Sequence, residues 1–352
     1  MGIVDEDVLA EQNLKFRQMS QMIVSARTIA ICAHTNPDGD ALGSGLGLAL
    51  IIKGMWPEKT VTNLLADDDP VPRLYRFLAG ASDFVHCSDY ATCPDLFICV
   101  DLPSADRLNE AQAVLERSGH VICIDHHPAR ERLGDVMLSR VDAAATGVVV
   151  AELAEWLHAD VTPDLANCLY CAIVTDTGRF QYQNADAEAF SVASMLVDCG
   201  ASPSLISLNV YQSFRIEYLH LEAIVMGRIT TFANGRIAYS YALKEDLERT
   251  GAKNDECDGL VDVVRSVAGC QICLFLKESC QGKVRGNLRA KNDLDVSKIA
   301  QVMGGGGHVA AAGFTFEGDI DDALARVLPM LQELVGEDPT GSWAPLRGST
   351  GE

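Results

Sequence analysis

The sequence predicts an α/β protein in two parts: an N-terminal doubly wound domain on a mainly parallel sheet, linked to a smaller α/β domain. Three observations point there. Short apolar, β-branched runs alternate with helix-periodic stretches through the first 200 residues, the pattern of βαβ units. Three of those runs stop directly at Asp or His, and in open parallel sheets ligands bind beyond the carboxyl ends of the strands. After Gly227 the pattern changes to a hairpin signature. The boundaries expected are 1–200 for the first domain, 201–226 for a helical linker and 227–336 for the second domain. A tail over 337–352, poor in apolar residues, is expected to be disordered.

In chain order, residues 3–27 carry the apolar periodicity of an amphipathic helix. Thr28 to Ala33 is the first buried strand. A polar loop follows, His34-Thr35-Asn36-Pro37-Asp38-Gly39-Asp40, in which Pro37 fixes φ and Gly39 permits unusual backbone angles. Ala41 to Met55 is a helix dense in small residues, where Gly43, Gly45 and Gly47 allow close approach of a neighbouring backbone. Thr60 to Leu65 is a strand, and Val71 to Leu78 a helix entered through Pro70 and Pro72. Leu96 to Val100 is a strand ending at Asp101. Ala105 to Ser118 is helical in pattern. Val121 to Ile124 is a strand ending at Asp125-His126-His127, and Val136 to Val141 another. Thr146 to His158 is a helix, and Thr162-Pro163 starts the next. That helix ends at Thr175-Asp176-Thr177-Gly178. Asp186 caps a helix running to Cys199. In the second domain, Asn234-Gly235 marks a two-residue hairpin turn. A helix around Leu260 to Val267 and strands Gln271–Leu276 and Lys283–Arg289 come next. The helix Val296 to Met303 leads into Gly304-Gly305-Gly306-Gly307-His308, the small-residue segment Val309 to Gly313, and a final helix over Ile320 to Val335.

The net charge of −21 argues against binding long duplex nucleic acid, which needs many Lys/Arg–phosphate contacts. A short anionic substrate remains compatible if cations and a local basic patch supply positive charge. The N-terminus is acidic rather than a basic, apolar secretory signal, and no apolar run is long enough to span a bilayer. The twelve cysteines lie mostly in apolar runs, as buried reduced thiols do. Two pairs, Cys168/Cys171 and Cys270/Cys273, have C-x-x-C spacing, but a zinc site would need them to converge or to add histidines. A cytoplasmic protein free of membrane contact is expected. The oligomeric state is left open, a homodimer included.

The strand ends and one helix end collect His34, Asp38, Asp40, Asp101, Asp125, His126, His127 and Asp176. So many acids in one cleft would repel and hold protons unless cations were present. Two divalent cations resolve that conflict, and mixed His and carboxylate donors suit Mn²⁺, Fe²⁺ or Zn²⁺ better than Ca²⁺. Two such ions, about 3.5–4 Å apart, can stabilise in-line displacement at phosphorus. The residues therefore predict phosphoester or phosphoanhydride hydrolysis. Taken alone, the loop 34–40 reads equally well as a strand-to-helix turn with Asp as helix cap.

The set His34-x-x-x-Asp38-x-Asp40, Asp101, Asp125-His126-His127 and Thr175-Asp176-Thr177-Gly178 resembles the four motifs of the DHH phosphoesterase family. Gly304 to His308, followed by Ala-Ala-Ala-Gly, resembles the GGGH motif of the associated DHHA1 domain. The order is the family's, over residues 10 to 335, and the wording is closest to the bifunctional oligoribonuclease and pAp phosphatase group. The resemblance implies two divalent ions, Mn²⁺ foremost. His34, Asp38 and Asp101 would hold one, and Asp40, Asp101, His126 and Asp176 the other. Asp125 would orient a ligand, and His127 would face the scissile phosphate. Asn36 would either touch the bridging hydroxide or brace the loop through an Asx turn.

Substrate contacts would come from Arg289, at the position of the family's nucleotide-binding arginine, and from His308 with Gly305, Gly306 and Gly307. The glycine run reads either as a flexible linker or as backbone N–H groups cradling a phosphate. Lys283 and Arg285 are substrate contacts or solvated strand residues, and Arg107 a site residue or a surface helix arginine. Phe180 and Tyr182 could touch a base or pack in the core. The implied substrates are oligoribonucleotides of a few residues, linear dinucleotides and 3′-phosphoadenosine 5′-phosphate, attacked by a metal-bridged hydroxide. The alternatives are an inorganic pyrophosphatase-like hydrolase and a nucleotide-sensing module with an idle site.

Overall fold

The computed structural model describes residues 6–336 apart from 103, 130, 258, 280 and 281. The tail expected over 337–352, and the helix start expected at residues 3–5, lie outside the described residues. The chain forms two compact units, Met1–Ser213 and Phe214–Glu352.

The first unit runs α1 (Glu6–Ser25), β1 (Thr28–Cys32), α2 (Gly39–Met55), β2 (Thr60–Leu65), β3 (Val85–His86), β4 (Leu96–Val100), α3 (Gln112–Glu116), β5 (His120–Asp125), β6 (Val136–Ser139), α4 (Thr146–Trp156), α5 (Pro163–Asp176), α6 (Ala187–Asp198) and α7 (Pro203–Tyr211). Its six strands make one sheet in the order β3-β2-β1-β4-β5-β6. Every neighbour pair is parallel, so the doubly wound α/β reading holds. The period-2 alternation of the strands sorts the core into two faces. Ile29, Ile31, Ile98, Val100, Ile122 and Ile124 point to the face covered by α1, α2, α4 and α5. Ala30, Cys32, Phe97, Cys99 and Cys123 point to the other, where Leu108, Ala111 and Val114 cover them. Strand order reverses between β1 and β4, which places the crevice for a ligand at their carboxyl ends.

Two of the three glycines expected to allow close approach, Gly43 and Gly47, do so against α5, and Gly45 does not. Gly39, Gly43 and Gly47, four residues apart, line the face against α5. A Cβ on Gly39 would meet the Thr175 hydroxyl oxygen at 2.4 Å, and one on Gly43 the Cys168 carbonyl at 2.4 Å. Gly45 looks at the sheet with ordinary room. Gly39 is helical. The left-handed residue of the 34–40 loop is Asn36, at φ 52°.

Two helices expected in this unit are largely absent. Over 71–78 there is only a 3-10 turn at Arg73–Tyr75. Pro70 and Pro72 remove donors there, and so short a segment does not offset the cost of nucleation. Over 105–118 the chain makes two 3-10 turns before the five-residue α3. The short strand β3 had no apolar run long enough to announce it.

The second unit runs α8 (Ile216–Gly227), β7 (Thr230–Phe232), β8 (Ile237–Ala242), α9 (Lys244–Thr250), α10 (Leu260–Arg265), β9 (Ile272–Glu278), β10 (Lys283–Ala290), α11 (Ser297–Val302), β11 (Gly306–Gly307), β12 (Ala311–Glu317) and α12 (Ile320–Leu334). A six-stranded mixed sheet has the order β11-β12-β10-β9-β8-β7. Only β8 and β9 are parallel. The β7–β8 turn is shifted by one residue from the Asn-Gly expected. Ala233 and Asn234 take the left-handed positions, at φ 52° and 54°, and Gly235 N–H closes onto Phe232 O. The small-residue segment after His308 is the start of β12, a strand hidden by its Ala and Gly content.

Most of the described cysteines are buried. Neither C-x-x-C pair belongs to a metal-binding group among the described residues. Among those residues, no single helix is long and apolar enough to cross a membrane.

Candidate metal centre

His34 leaves β1, Asp101 leaves β4 and Asp125 ends β5, on neighbouring strands that flank the reversal of the sheet. They are joined by Asp38 and Asp40 at the start of α2 and by Asp176 at the end of α5. His34, Asp38 and Asp101 offer donor atoms within 4.8 Å of one another, and so do Asp40, His126 and Asp176. Asp101 lies between these two groups. Its Oδ2 is 3.4 Å from His34 Nε2, and its Oδ1 is 3.7 Å from His126 Nε2. His126 Nε2 is also 3.7 Å from Asp40 Oδ2 and from Asp176 Oδ2. Asp101 is held at φ 54°, a left-handed angle that costs a non-glycine residue free energy and recurs at functional sites.

Each donor is held by named partners. Asp38 does cap α2, its Oδ1 accepting from the N–H groups of Asp40 and Ala41. The cap uses one oxygen only, so the cap reading and the metal-loop reading are compatible. Both oxygens of buried Asp40 are engaged: Oδ2 by Thr146 N–H, Oδ1 by Gly147 N–H and the Ser44 hydroxyl. Thr146 also donates its hydroxyl to Asp101 Oδ1. His126 Nδ1 faces Ala143 O at 3.2 Å, and a proton there leaves Nε2 as the lone-pair nitrogen. His34 Nδ1 lies 2.8 Å from Thr35 O, and its Nε2 faces Asp101 Oδ2. Asn184 Nδ2 donates to Asp176 O and approaches its Oδ2.

Asp125 is fully buried. Its Oδ1 accepts from the His126 and His127 N–H groups and from His127 Nδ1. The ring it orients is therefore His127, whereas the His126 ring is held by Ala143 O. Arg107 is not a surface helix arginine. It ends a 3-10 turn, half-buried, with Nη2 3.0 Å from His34 Nδ1, and its carbonyl takes Thr35 N–H. Asn36 donates its backbone N–H to Asp67 Oδ2, which braces the loop. Phe180 is partly buried against the apolar core and stacks on the exposed Phe190 at 4.9 Å.

The electrostatics are those of a site short of positive charge. Burial, then the charge of Asp101, push Asp40 well above the usual carboxylate range. Burial opposes ionisation of Asp101 too, but hydrogen bonds from His127 and His34 hold it well below that range. Burial disfavours charge on His127, yet its bonds to Asp101 and Asp125 push its pKa up to about 11. The donor set fits divalent cations: four carboxylates, of which Asp40 and Asp101 are buried, meet two imidazole Nε2 atoms. Asp125 Oδ2 is buried with no hydrogen-bond partner among the described residues.

In the second unit Lys283, Arg285, Asn287 and Arg289 share one face of β10, opposite Glu317, Thr315, Gly313 and Ala311 of β12. Lys283 Nζ lies 3.4 Å from Glu317, and Arg285 donates to the Thr315 hydroxyl. Arg289 donates from Nη1 to its neighbour Leu288 O, and its buried Nε has no hydrogen-bond partner among the described residues. The glycine run is packed structure, not a linker. A Cβ on Gly305 would stand 2.0 Å from Gly313 O. The N–H groups of Gly304, Gly305 and His308 go to Gln301, Ala300 and Ala311 carbonyls, so those three are not free to cradle a phosphate.

Sequence reading missed Ser44, Thr146, Gly147 and Asn184. Ser44 had a local signal, one helical turn beyond Asp40. The other three reach the site through contacts invisible in sequence.

Residues 28–173 match the DHH family, N-terminal domain, and residues 234–337 match the DHHA1 domain. The bifunctional oligoribonuclease and PAP phosphatase NrnA of Thermus thermophilus is 32% identical over 322 residues, 91% of this chain and 94% of its own length. The protein of the same name from Bacillus subtilis is 27% identical, over 88% of this chain and 95% of its own. A solved exopolyphosphatase-related protein from Bacteroides fragilis shares the fold, with a TM-score of 0.84 at 23% identity, covering 95% of this chain and 97% of that one. The chain belongs to the DHH family of hydrolases and carries the DHHA1 domain in its second half.

Proposed function

We propose that this enzyme hydrolyses short nucleotidic phosphoesters: oligoribonucleotides of a few residues, linear dinucleotides and 3′-phosphoadenosine 5′-phosphate. It does so in the cytoplasm with two divalent cations, Mn²⁺ foremost. The observation that carries the reading is the division of Asp101, whose two oxygens face different histidines, His34 and His126. His34, Asp38 and Asp101 would hold one cation, and Asp40, Asp101, His126 and Asp176 the other. Bound there, the pair supplies a nucleophile at neutral pH and offsets the charge of the phosphate. The relatives named as oligoribonuclease and PAP phosphatase support the substrate class.

In this reading the chain's own residues divide the work. Asp125 holds the His127 ring, which donates a proton toward the phosphate or its leaving oxygen. Asn36 holds the loop that carries Asp38 and Asp40, and Arg107 holds it from β4's side. In the DHHA1 domain Arg289, with Nε unpartnered, grips a phosphate of the nucleotide, aided by Arg285, Lys283, Gly306, Gly307 and the His308 side chain. The catalytic domain is taken as 1–200 and the substrate domain as 227–336.

A panel assay with Mn²⁺ tests this, comparing a 5-mer RNA, linear diadenylate, 3′-phosphoadenosine 5′-phosphate and pyrophosphate. Turnover of the nucleotides is expected. Turnover of pyrophosphate alone would make the enzyme a pyrophosphatase, and binding without turnover would make it a sensor.

A further inference from the structure

We propose that Thr146 is a positioning residue: it ties Asp40 to Asp101 and so sets the affinity of the cation those two carboxylates share. The inference rests on the two-cation reading above. Thr146 is fully buried at the first position of α4, an eleven-residue helix whose N-cap, Ala145, supplies no side-chain cap. The first N–H groups of a helix have no partner within it. Here they are taken by a carboxylate from a different helix: Thr146 N–H reaches Asp40 Oδ2 at 2.7 Å and Gly147 N–H reaches Oδ1 at 2.9 Å. The same Thr146 turns its hydroxyl to Asp101 Oδ1 at 3.1 Å. One residue thus fixes carboxylates that lie 61 positions apart in the chain, from α2 and from the end of β4.

The lone pairs show what this does. A carboxylate oxygen accepts about two hydrogen bonds. Asp40 Oδ1 already has two donors, Gly147 N–H and the Ser44 hydroxyl. Oδ2 has one, and it is the oxygen that looks at His126 Nε2. Asp40 is therefore rotated so that a single oxygen has capacity for a cation. On Asp101 the Thr146 hydroxyl occupies one site of Oδ1, the oxygen on the His126 side. Gly147 makes the arrangement fit, since a Cβ there would stand 2.6 Å from Ala172 Cβ of α5.

Thr146→Val keeps the shape and the backbone N–H but deletes the hydroxyl, and Thr146→Ser keeps the hydroxyl. The metal-stripped full chain is titrated with Mn²⁺, and free ion is read by electron paramagnetic resonance. Wild type should take up two ions. Thr146→Val should weaken one of the two by about tenfold, the scale for partners that orient metal ligands. The weakened site should be the one lost in Asp40→Asn and kept in Asp38→Asn. Thr146→Ser should match wild type. Two ions bound by Thr146→Val with wild-type affinity would overturn the role of Thr146 and leave the two-cation reading standing. So would a Thr146→Ser protein as weak as Thr146→Val. A wild type that takes up a single ion would overturn both.

Discussion

Asp101 Oδ2 lies 3.4 Å from His34 Nε2, across the point where the sheet reverses its strand order. The two residues close neighbouring strands, so the distance is fixed by the register Ile29↔Leu96 to Cys32↔Cys99. The other oxygen of Asp101 serves His126 and Thr146. Both candidate cation groups meet at this one side chain.

Asp101→Ala should therefore empty both positions. Turnover should fall by about a thousandfold, the upper scale for losing a group that stabilises developing charge. Bound Mn²⁺ counted after gel filtration should fall with it. Normal turnover in this variant would contradict the arrangement.

Gly43 and Gly45 separate packing from composition. In Gly43→Ala the added methyl meets the Cys168 backbone carbonyl at 2.4 Å, and the backbone must move. Such overpacking costs about 1–3 kcal/mol. In Gly45→Ala the nearest atom is Val100 Cγ2 at 3.5 Å, ordinary contact, and helix propensity favours Ala by about 0.5–1 kcal/mol. Urea unfolding should rank Gly43→Ala well below wild type and Gly45→Ala at or above it. Equal losses would show that α2 and α5 are not in close contact at Gly43.

Most of what the first unit contributes was legible in sequence, for a local reason. Strands of a doubly wound sheet are short apolar runs, and polar residues at their ends stand out in Ile31-Cys32-Ala33-His34, Val100-Asp101 and Ile124-Asp125. Partners joined only in three dimensions left no trace. Thr146 and Asp40 are 106 residues apart, and nothing near either one announces the bond. Close approach was legible at Gly43 and Gly47 of α2 but not its absence at Gly45, because the three glycines look alike in sequence while pointing to different neighbours. In the second unit β12 starts with Ala311-Ala312-Gly313, residues of low strand propensity, and only pairing with β10 makes it a strand.

Cation binding should release protons. Burial works against charge on His34, yet the hydrogen bond to Asp101 and the charge of Asp38 raise its pKa above the ordinary histidine value. Asp40 is also raised, by burial and by Asp101. Both groups thus keep protons to higher pH than usual in the metal-free protein. A cation needs His34 neutral and Asp40 ionised, so affinity should rise with pH and go on rising above the ordinary histidine pKa, because both groups hold their protons to higher pH. Mn²⁺ titrations in buffers of different ionisation enthalpy measure the proton count. Affinity that is flat or falls with pH would contradict the charge balance of the site.

Arg289 is tested by two substitutions. Arg289→Ala should raise KM for nucleotide substrates by roughly ten- to a hundredfold, the worth of a hydrogen bond to a charged group, with kcat and Mn²⁺ affinity little changed. Arg289→Lys should recover only part, because an ammonium cannot reproduce a planar fork. An unchanged KM would remove β10 from the substrate site.

The central claim is that Asp38 and Asp40, two residues apart on one loop, serve different cations on either side of Asp101. Anomalous diffraction from Mn²⁺-loaded crystals tests it most directly. Two peaks are predicted, one against His34, Asp38 and Asp101, the other against Asp40, Asp101, His126 and Asp176. A single peak touching both Asp38 and Asp40 would contradict the claim.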